Sequence, residues 1–273
     1  MKSTMVRGAG NSLAVHCSGD GPPIVLCHGN SCSSRCYRHQ LEGRLARRFR
    51  LIAVDLPGHG DSGPASSPAG GYTLPGYAAA LVEAAEQLDA RGAVFVGWSL
   101  GGHVVLEASA QLPVAAGFLV FGSPPVSSSA DFPAALSTHP ALQAGFREDS
   151  TEREIDECLS LFFKPGTLLP DAFREDFRRT DKRARSSLAA SLARNEFLDE
   201  VRIVAGLDRP IAVLHGRFDS CVQRDYLDQV PFPTLWRGRI QEVPDAGHAP
   251  QWETVKLFDS LLEDFVIDCM ARA

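Results

Sequence analysis

The stretch Gly97-Trp98-Ser99-Leu100-Gly101 constrains this chain more than any other. It follows the apolar run Val94-Phe95-Val96 and precedes a helix-compatible run from Gly102 to Ala110, so a serine stands between a strand and a helix, in a G-x-S-x-G frame. The glycines are needed because so tight a turn presses the flanking positions against neighbouring backbone, where a side chain would collide. The pentapeptide alone could be a chance small-residue turn, but its flanking strand and helix weaken that reading. Ser99 is expected to stand out above a buried sheet as a nucleophile.

The rest of the chain supplies the sheet. Short apolar runs bounded by Gly or Pro recur from Ile24 to Cys27, Leu51 to Val54, Val94 to Val96, Phe118 to Phe121 and Ile211 to Leu214, which reads as buried, mostly parallel strands. Between them lie helical stretches such as Tyr77 to Leu88, where Leu81, Ala85 and Leu88 share one face. Strand and helix alternate, so the expected class is α/β, a mostly parallel central sheet flanked by helices. The alternation stops near Ser127 and resumes near Arg209, and the stretch between is helical in character, with a candidate capping box at Thr151 to Glu154. The expected organisation is a core of residues 1–126 and 207–273 with a helical cap of residues 127–206. Pro124-Pro125 and Ser127-Ser128-Ser129 lead into the cap, and Gly206 marks its end. A chain of 273 residues suits one such core carrying an insertion.

Composition narrows the function. With 44% hydrophobic and 22% charged residues the chain reads as an ordinary soluble globular protein. A net charge of -6 argues against nucleic-acid partners, which need a basic face. The densest basic run, Lys182-Arg183-Ala184-Arg185, reads as a solvated helix face. Residues 1–10 hold no apolar stretch of signal-peptide length, and the longest apolar candidate, Val114 to Phe121, falls far short of a membrane span. The expectation is a cytoplasmic protein without a membrane partner. Seven cysteines, an odd number, do not suggest a disulfide framework. Cys32-x3-Cys36 lacks a second ligand pair, so neither metal nor other cofactor is expected.

A serine hydroxyl needs a base, and the base a carboxylate that fixes its tautomer. On sheets with this elbow the order along the chain is Ser, acid, His. His248 in Asp245-Ala246-Gly247-His248-Ala249-Pro250 follows the apparent strand Arg239 to Val243, which makes it the leading base over the reading of a plain surface-loop histidine. Asp219 in His215-Gly216-Arg217-Phe218-Asp219 follows the strand Ile211 to Leu214 and is the preferred acid, with Asp225 as the fallback. Two backbone donors must meet the developing oxyanion. Leu100, next after the nucleophile at a helix start, and Asn30, just past His28-Gly29, are the candidates. Asn30, Trp98, Phe162 and Phe163 are the candidate substrate contacts.

With these residues in view, His28-Gly29, the segment Asp55 to Ser62, the Ser99 elbow, Asp219 and Gly247-His248 resemble the α/β-hydrolase superfamily. Within it, His28-Gly29-Asn30-Ser31, Gln40-Leu41-Glu42-Gly43, Gly97 to His103, Ser123-Pro124-Pro125-Val126, Leu235-Trp236 and Ala246 to Pro250 look like the N-acyl-homoserine lactonases of that fold. The resemblance implies opening of the lactone ring of acyl-homoserine signals, with the acyl chain beneath the cap and no metal. The resemblance also implies a lid hydroxyl in contact with the substrate. This cap has no tyrosine from 127 to 206, so Cys158 or Ser160 would have to stand in. His28-Gly29-Asn30 also resembles haloalkane dehalogenases, but those carry an aspartate where Ser99 stands.

The cap residues Phe132, Leu136, Phe146, Ile155, Leu159, Phe162 and Phe163 either line an acyl tunnel or pack the cap on itself and the core. The expected substrate is a small acyl ester or lactone, cleaved through an acyl-enzyme. The rivals are a general carboxylesterase or a carbon-carbon bond hydrolase with the same triad, and a receptor that keeps the fold without turnover. Oligomeric state is not legible.

Overall fold

The computed structural model describes residues 2–271. Its strands are β1 (Lys2–Gly8), β2 (Asn11–Ser18), β3 (Pro23–Cys27), β4 (Arg50–Val54), β5 (Val94–Trp98), β6 (Gly117–Phe121), β7 (Ile211–Gly216) and β8 (Gln241–Val243). They form one sheet in the order β1-β2-β4-β3-β5-β6-β7-β8. β2 pairs antiparallel with β1 and β4, and the remaining pairings are parallel.

The five apolar runs of the sequence are the five central strands. Their side chains alternate between two faces, and both faces are covered, which is why each run is apolar throughout. Val25, Ile52, Phe95, Val120 and Val213 pack on one side with Leu81 and Ala84 of α1 (Leu74–Gln87) and Val104 and Val105 of α2 (Leu100–Ala108). Leu26, Ala53, Val96, Leu119 and Leu214 pack on the other, where Phe258, Leu262 and Phe265 of the C-terminal helix Val255–Met270 cover them. The β1–β2 hairpin had no such signal. Lys2 to Met5 are exposed, and its turn is made by Ala9 and Gly10 at φ of 48° and 77°.

From 122 to 210 the chain runs through turns and helices with an isolated bridge from Leu136 to Val222. The main helices are α3 (Glu152–Ser160), α4 (Asp171–Arg179), α5 (Lys182–Ala193) and α6 (Glu200–Gly206). α3 starts at the expected capping box. Thr151 Oγ1 accepts from the Glu154 N–H at 3.3 Å, and Glu154 Oε2 accepts from the Thr151 N–H at 2.8 Å.

α4 buries Phe173, Asp176 and Phe177, at the three- and four-residue spacing of one helix face. Asp176 fastens this segment to the loop after β3. Its carboxylate accepts from Ser33 Oγ at 2.7 Å and from Arg35 Nε and Nη2 at 2.9 and 2.6 Å. The basic run in α5 is only half solvated. Lys182 and Arg183 pair with Asp149 and Asp181, but Arg185 is buried, stacked on Phe177 and donating to the carbonyls of Arg147, Phe177 and Glu148. Helical periodicity places position 185 one turn past Asp181 and facing α4, where its guanidinium reaches the three carbonyls.

Candidate active site

Ser99 joins β5 to α2 at φ 54° and ψ −121°, outside the regions open to most side chains. The surrounding glycines show what holds it there. A Cβ on Gly97 would run into the backbone of Gly101 and Gly102, and one on Gly101 into the carbonyls of Cys27 and His28. The elbow is thus backbone packed directly on backbone. The Ser99 N–H donates to Phe121 O at 2.9 Å, and Ser123 Oγ donates to Ser99 O at 2.7 Å, so the strained conformation is tied down from β6.

His248 lies in the loop after β8 and Asp219 in the loop after β7. His248 Nδ1 is 2.9 and 3.1 Å from the two Asp219 carboxylate oxygens, and both side chains are almost wholly buried. Asp219 Oδ1 also accepts from the N–H groups of Cys221 and Val222 at 2.8 and 3.2 Å. Burial alone would raise the pKa of this carboxyl. The adjacent His248 and the backbone donors outweigh that and hold it below the usual range. A carboxylate in this position makes Nδ1 the donor, which leaves Nε2 as the basic atom of the ring. Asp225 sits in the short helix Arg224–Leu227, and the carboxylate that meets His248 is that of Asp219.

Two contacts fix the imidazole. Trp98 Nε1 donates to His248 O at 2.7 Å, and Gly122, at φ +65°, lies so close to the ring that a Cβ there would be 2.9 Å from Nδ1. Leu100 opens α2, so its N–H precedes the first intrahelical bond. Asn30 follows Gly29, whose Cβ position is 3.2 Å from Ser99 Cβ, so the β3 loop passes directly beside the nucleophile. The Asn30 side chain is engaged with the insertion between β6 and β7, donating to Gly145 O at 2.6 Å.

Ser99, His248, Asn30 and Leu100 open onto a cavity of about 680 Å³. Its wall is mostly apolar, from Phe132, Leu136, Phe146, Phe162, Leu188, Leu192 and Phe197. Of the candidate tunnel residues, Phe132, Leu136, Phe146 and Phe162 line it, whereas Ile155, Leu159 and Phe163 are buried in the core behind it. Two expected substrate contacts need correction. Trp98 is fully buried beneath the site, with its ring against Phe162, Phe173 and His248, and Phe163 packs edge-on to Phe173. Adjacent aromatic residues in a turn point to different sides, and a sequence does not say which side holds the cavity. Cys158 lines the cavity, its thiol pKa pushed up to about 11 by burial, while Ser160 faces out and donates to Glu157 O.

Among the described residues, two groups bring metal-ligand atoms together, Asp219 with Cys221 and His248, and His16 with Asp55 and Asp61. In both, the carboxylates already answer imidazole and backbone N–H groups. In the sequence, His103 carried no role in the site beyond its place in the Gly97 to His103 stretch. His103 stands four residues after Ser99 on α2, a spacing that puts it near the nucleophile, and its Nδ1 is 2.8 and 2.9 Å from the carboxylate oxygens of the buried Glu200.

Among known proteins, the profile of the Alpha/beta hydrolase family matches residues 24–259. The pimeloyl-[acyl-carrier protein] methyl ester esterase of Xanthomonas oryzae pv. oryzae is 33% identical over 238 residues, which are 84% of this chain and 81% of that protein. The crystal structure of the N-acyl homoserine lactonase AidH, complexed with N-butanoyl homoserine, superposes with a TM-score of 0.94 at 34% identity over 98% of this chain and 97% of that one. A putative aryl esterase from Burkholderia cenocepacia superposes at 0.81 with 25% identity, over 99% and 100% of the two chains.

Proposed function

Since the chain belongs to the alpha/beta hydrolase family, we propose that it is a serine hydrolase of carboxylic esters whose substrates are N-acyl-homoserine lactones. The observation that carries the reading is the buried Asp219–His248 pair opening, together with Ser99, onto one apolar cavity. In the cycle, His248 takes the Ser99 proton and Ser99 attacks the ester carbonyl. The oxyanion rests on the Asn30 and Leu100 N–H groups until the C–O bond breaks and the leaving oxygen takes the proton from His248. The neutral His248 then deprotonates water, which attacks the acyl-enzyme, and returns the proton to Ser99. Asp219 holds the imidazole in the tautomer that accepts at Nε2 and stabilises its charge.

In a lactone the leaving alkoxide stays tethered to the acyl group, so its high effective molarity favours reclosure. A productive enzyme must bring water to the acyl carbonyl faster than the ring closes. The lactone reading is supported by the likeness to AidH, which extends over 98% of the chain, insertion included, and is higher than that to the aryl esterase. The phenylalanine-lined wall suits an acyl chain.

A second reading comes from the esterases that act on an acyl-carrier-protein ester. Such a partner is acidic and needs unengaged cations around the cavity mouth. Here Arg147, Arg153, Arg174, Arg178, Lys182 and Arg183 of the insertion each pair with an acidic side chain, which leaves the exposed Arg202 as the insertion's unengaged cation among the described residues and favours a free small molecule. The test is hydrolysis of short- and long-chain acyl-homoserine lactones beside p-nitrophenyl esters and a carbon-carbon hydrolase substrate, with wild type and Ser99→Ala. Dominant lactone opening that disappears in the variant is expected. Ester turnover without lactone opening would leave a general esterase, and an inert Ser99 toward a fluorophosphonate probe would point to a receptor.

A further inference from the structure

His103 and Glu200 form a second imidazole–carboxylate pair in the same cavity, one that the proposed cycle leaves unused. Glu200 is fully buried, and its carboxylate meets His103 Nδ1 at both oxygens and the Val126 N–H at 3.1 Å. A carboxylate out of water needs a counter-charge, and in this contact the imidazole is the group that can supply it. Burial by itself would lower the pKa of His103, but Glu200 raises it above the ordinary value of 6.5. With Nδ1 committed to Glu200, Nε2 is the ring nitrogen left to address the cavity, and in the charged ring it is a donor.

Its position says what it could meet. His103 lies one helical turn beyond Ser99, about 6 Å along α2, on a cavity wall that is otherwise mainly hydrocarbon. A ligand acylating Ser99 would bring atoms a few bonds from its reacting carbonyl past this ring. A strong donor in an apolar wall rewards an acceptor there and penalises hydrocarbon.

We infer that the His103–Glu200 pair selects acyl substrates carrying a second carbonyl, amide or ketone, about three bonds from the carbonyl that Ser99 attacks. This deepens the ester-hydrolase reading and rests on Ser99 as the attacking group, but does not require a lactone. The plain alternative is a structural tie between α2 and α6, which would favour no substrate over another.

The experiment compares an N-acylglycine methyl ester, which has the amide carbonyl at this spacing, with an alkanoate methyl ester of equal length. Each kcat/KM is divided by that ester's own rate with hydroxide, and the ratio of the two is followed in wild type, His103→Gln and His103→Leu/Glu200→Gln. The double variant removes both halves of the pair, so no lone charge stays buried. The expected result is a wild-type preference for the amide ester that falls about 10- to 100-fold in the double variant and is partly kept by glutamine, whose side-chain amide still donates. A ratio that stays constant while both rates fall overturns the inference in favour of the structural tie, as does a wild type without preference. Affinities of Ser99→Ala and Ser99→Ala/His103→Gln for the same two esters, by calorimetry, ask the question without turnover. A binding preference that glutamine weakens, in a wild type that hydrolyses neither ester, would uphold the selection and sink the hydrolase reading. Equal affinities for the two esters would sink the selection.

Discussion

Asp219 carries two loads, the tautomer of His248 and its own burial, and the backbone N–H groups of Cys221 and Val222 supply part of what a buried carboxylate needs. Asp219→Asn keeps the shape but can present its amide N–H to Nδ1, which would move the ring proton to Nε2. We expect kcat for ester turnover to fall about 10⁴-fold, with fluorophosphonate labelling slowed in step; a loss under tenfold would make another group the partner of His248. Asp55 illustrates the same physics away from the cavity. Burial pushes its pKa up, but His16, His28 and the N–H groups of Asp61 and Ser34 together bring it down from 3.8 to about 2. A depressed carboxyl stabilises the fold above its ordinary value and loses that contribution as pH falls toward the folded value. Asp55→Asn should therefore lower urea stability at pH 7, the charge-linked part being on the order of 2 kcal/mol, and the gap should narrow between pH 4 and 2. A gap independent of pH would assign Asp55 a purely steric role. Asp219 and His248 were expected from the sequence because each lies in a loop after an apolar run and the two follow Ser99 in the order acid, then His, and their side chains meet in the structure. Glu200 was not expected, because nothing local marks a carboxylate that will be buried against a residue almost a hundred positions earlier.

The turn after α3 shows how far an element can be read. The sequence identifies Phe162-Phe163 as apolar and within the insertion, but the turn sends Phe162 to the cavity and Phe163 into the core against Phe173. The two should therefore separate on substitution. Phe162→Ala is expected to change the acyl-chain-length profile with little loss of stability. Phe163→Ala should cost about 3–5 kcal/mol in denaturant unfolding and leave the profile of the surviving enzyme alone. Identical profiles for wild type and Phe162→Ala would remove that ring from substrate contact. The central strands and α1 were legible because burial on both faces makes a strand uniformly apolar and burial on one face gives a helix its period. β1 was not, since most of its side chains meet water and its pairing is decided by its neighbour β2.

Over the whole molecule, the insertion is joined to the rest of the chain by polar contacts in several places, among them the Asp176 cluster and the His103–Glu200 pair. Removing the Asp176 carboxylate leaves Ser33 Oγ without its acceptor and leaves Arg35 only its bonds to Glu175 and to Ala172 O. Asp176→Ala is expected to cost about 1–3 kcal/mol and to raise amide exchange across α4 before it does so in β5 and β6. Uniform exchange through both would mean that insertion and sheet open as one unit. The strand–helix alternation is a matter of pattern along the chain and is legible in it; the cluster joins residues over 140 positions apart and has no such pattern. The cavity has a further property that follows from its lining. Ser99, Leu100, His103, Asn30 and His248 come from outside the stretch between β6 and β7, whereas Phe132, Leu136, Phe146, Phe162, Leu188, Leu192 and Phe197 all lie within it. The chemistry and most of the wall thus come from separate stretches of the chain. Two recombination junctions, one after β6 and one before β7, would be enough to give an unchanged catalytic floor a new set of tastes.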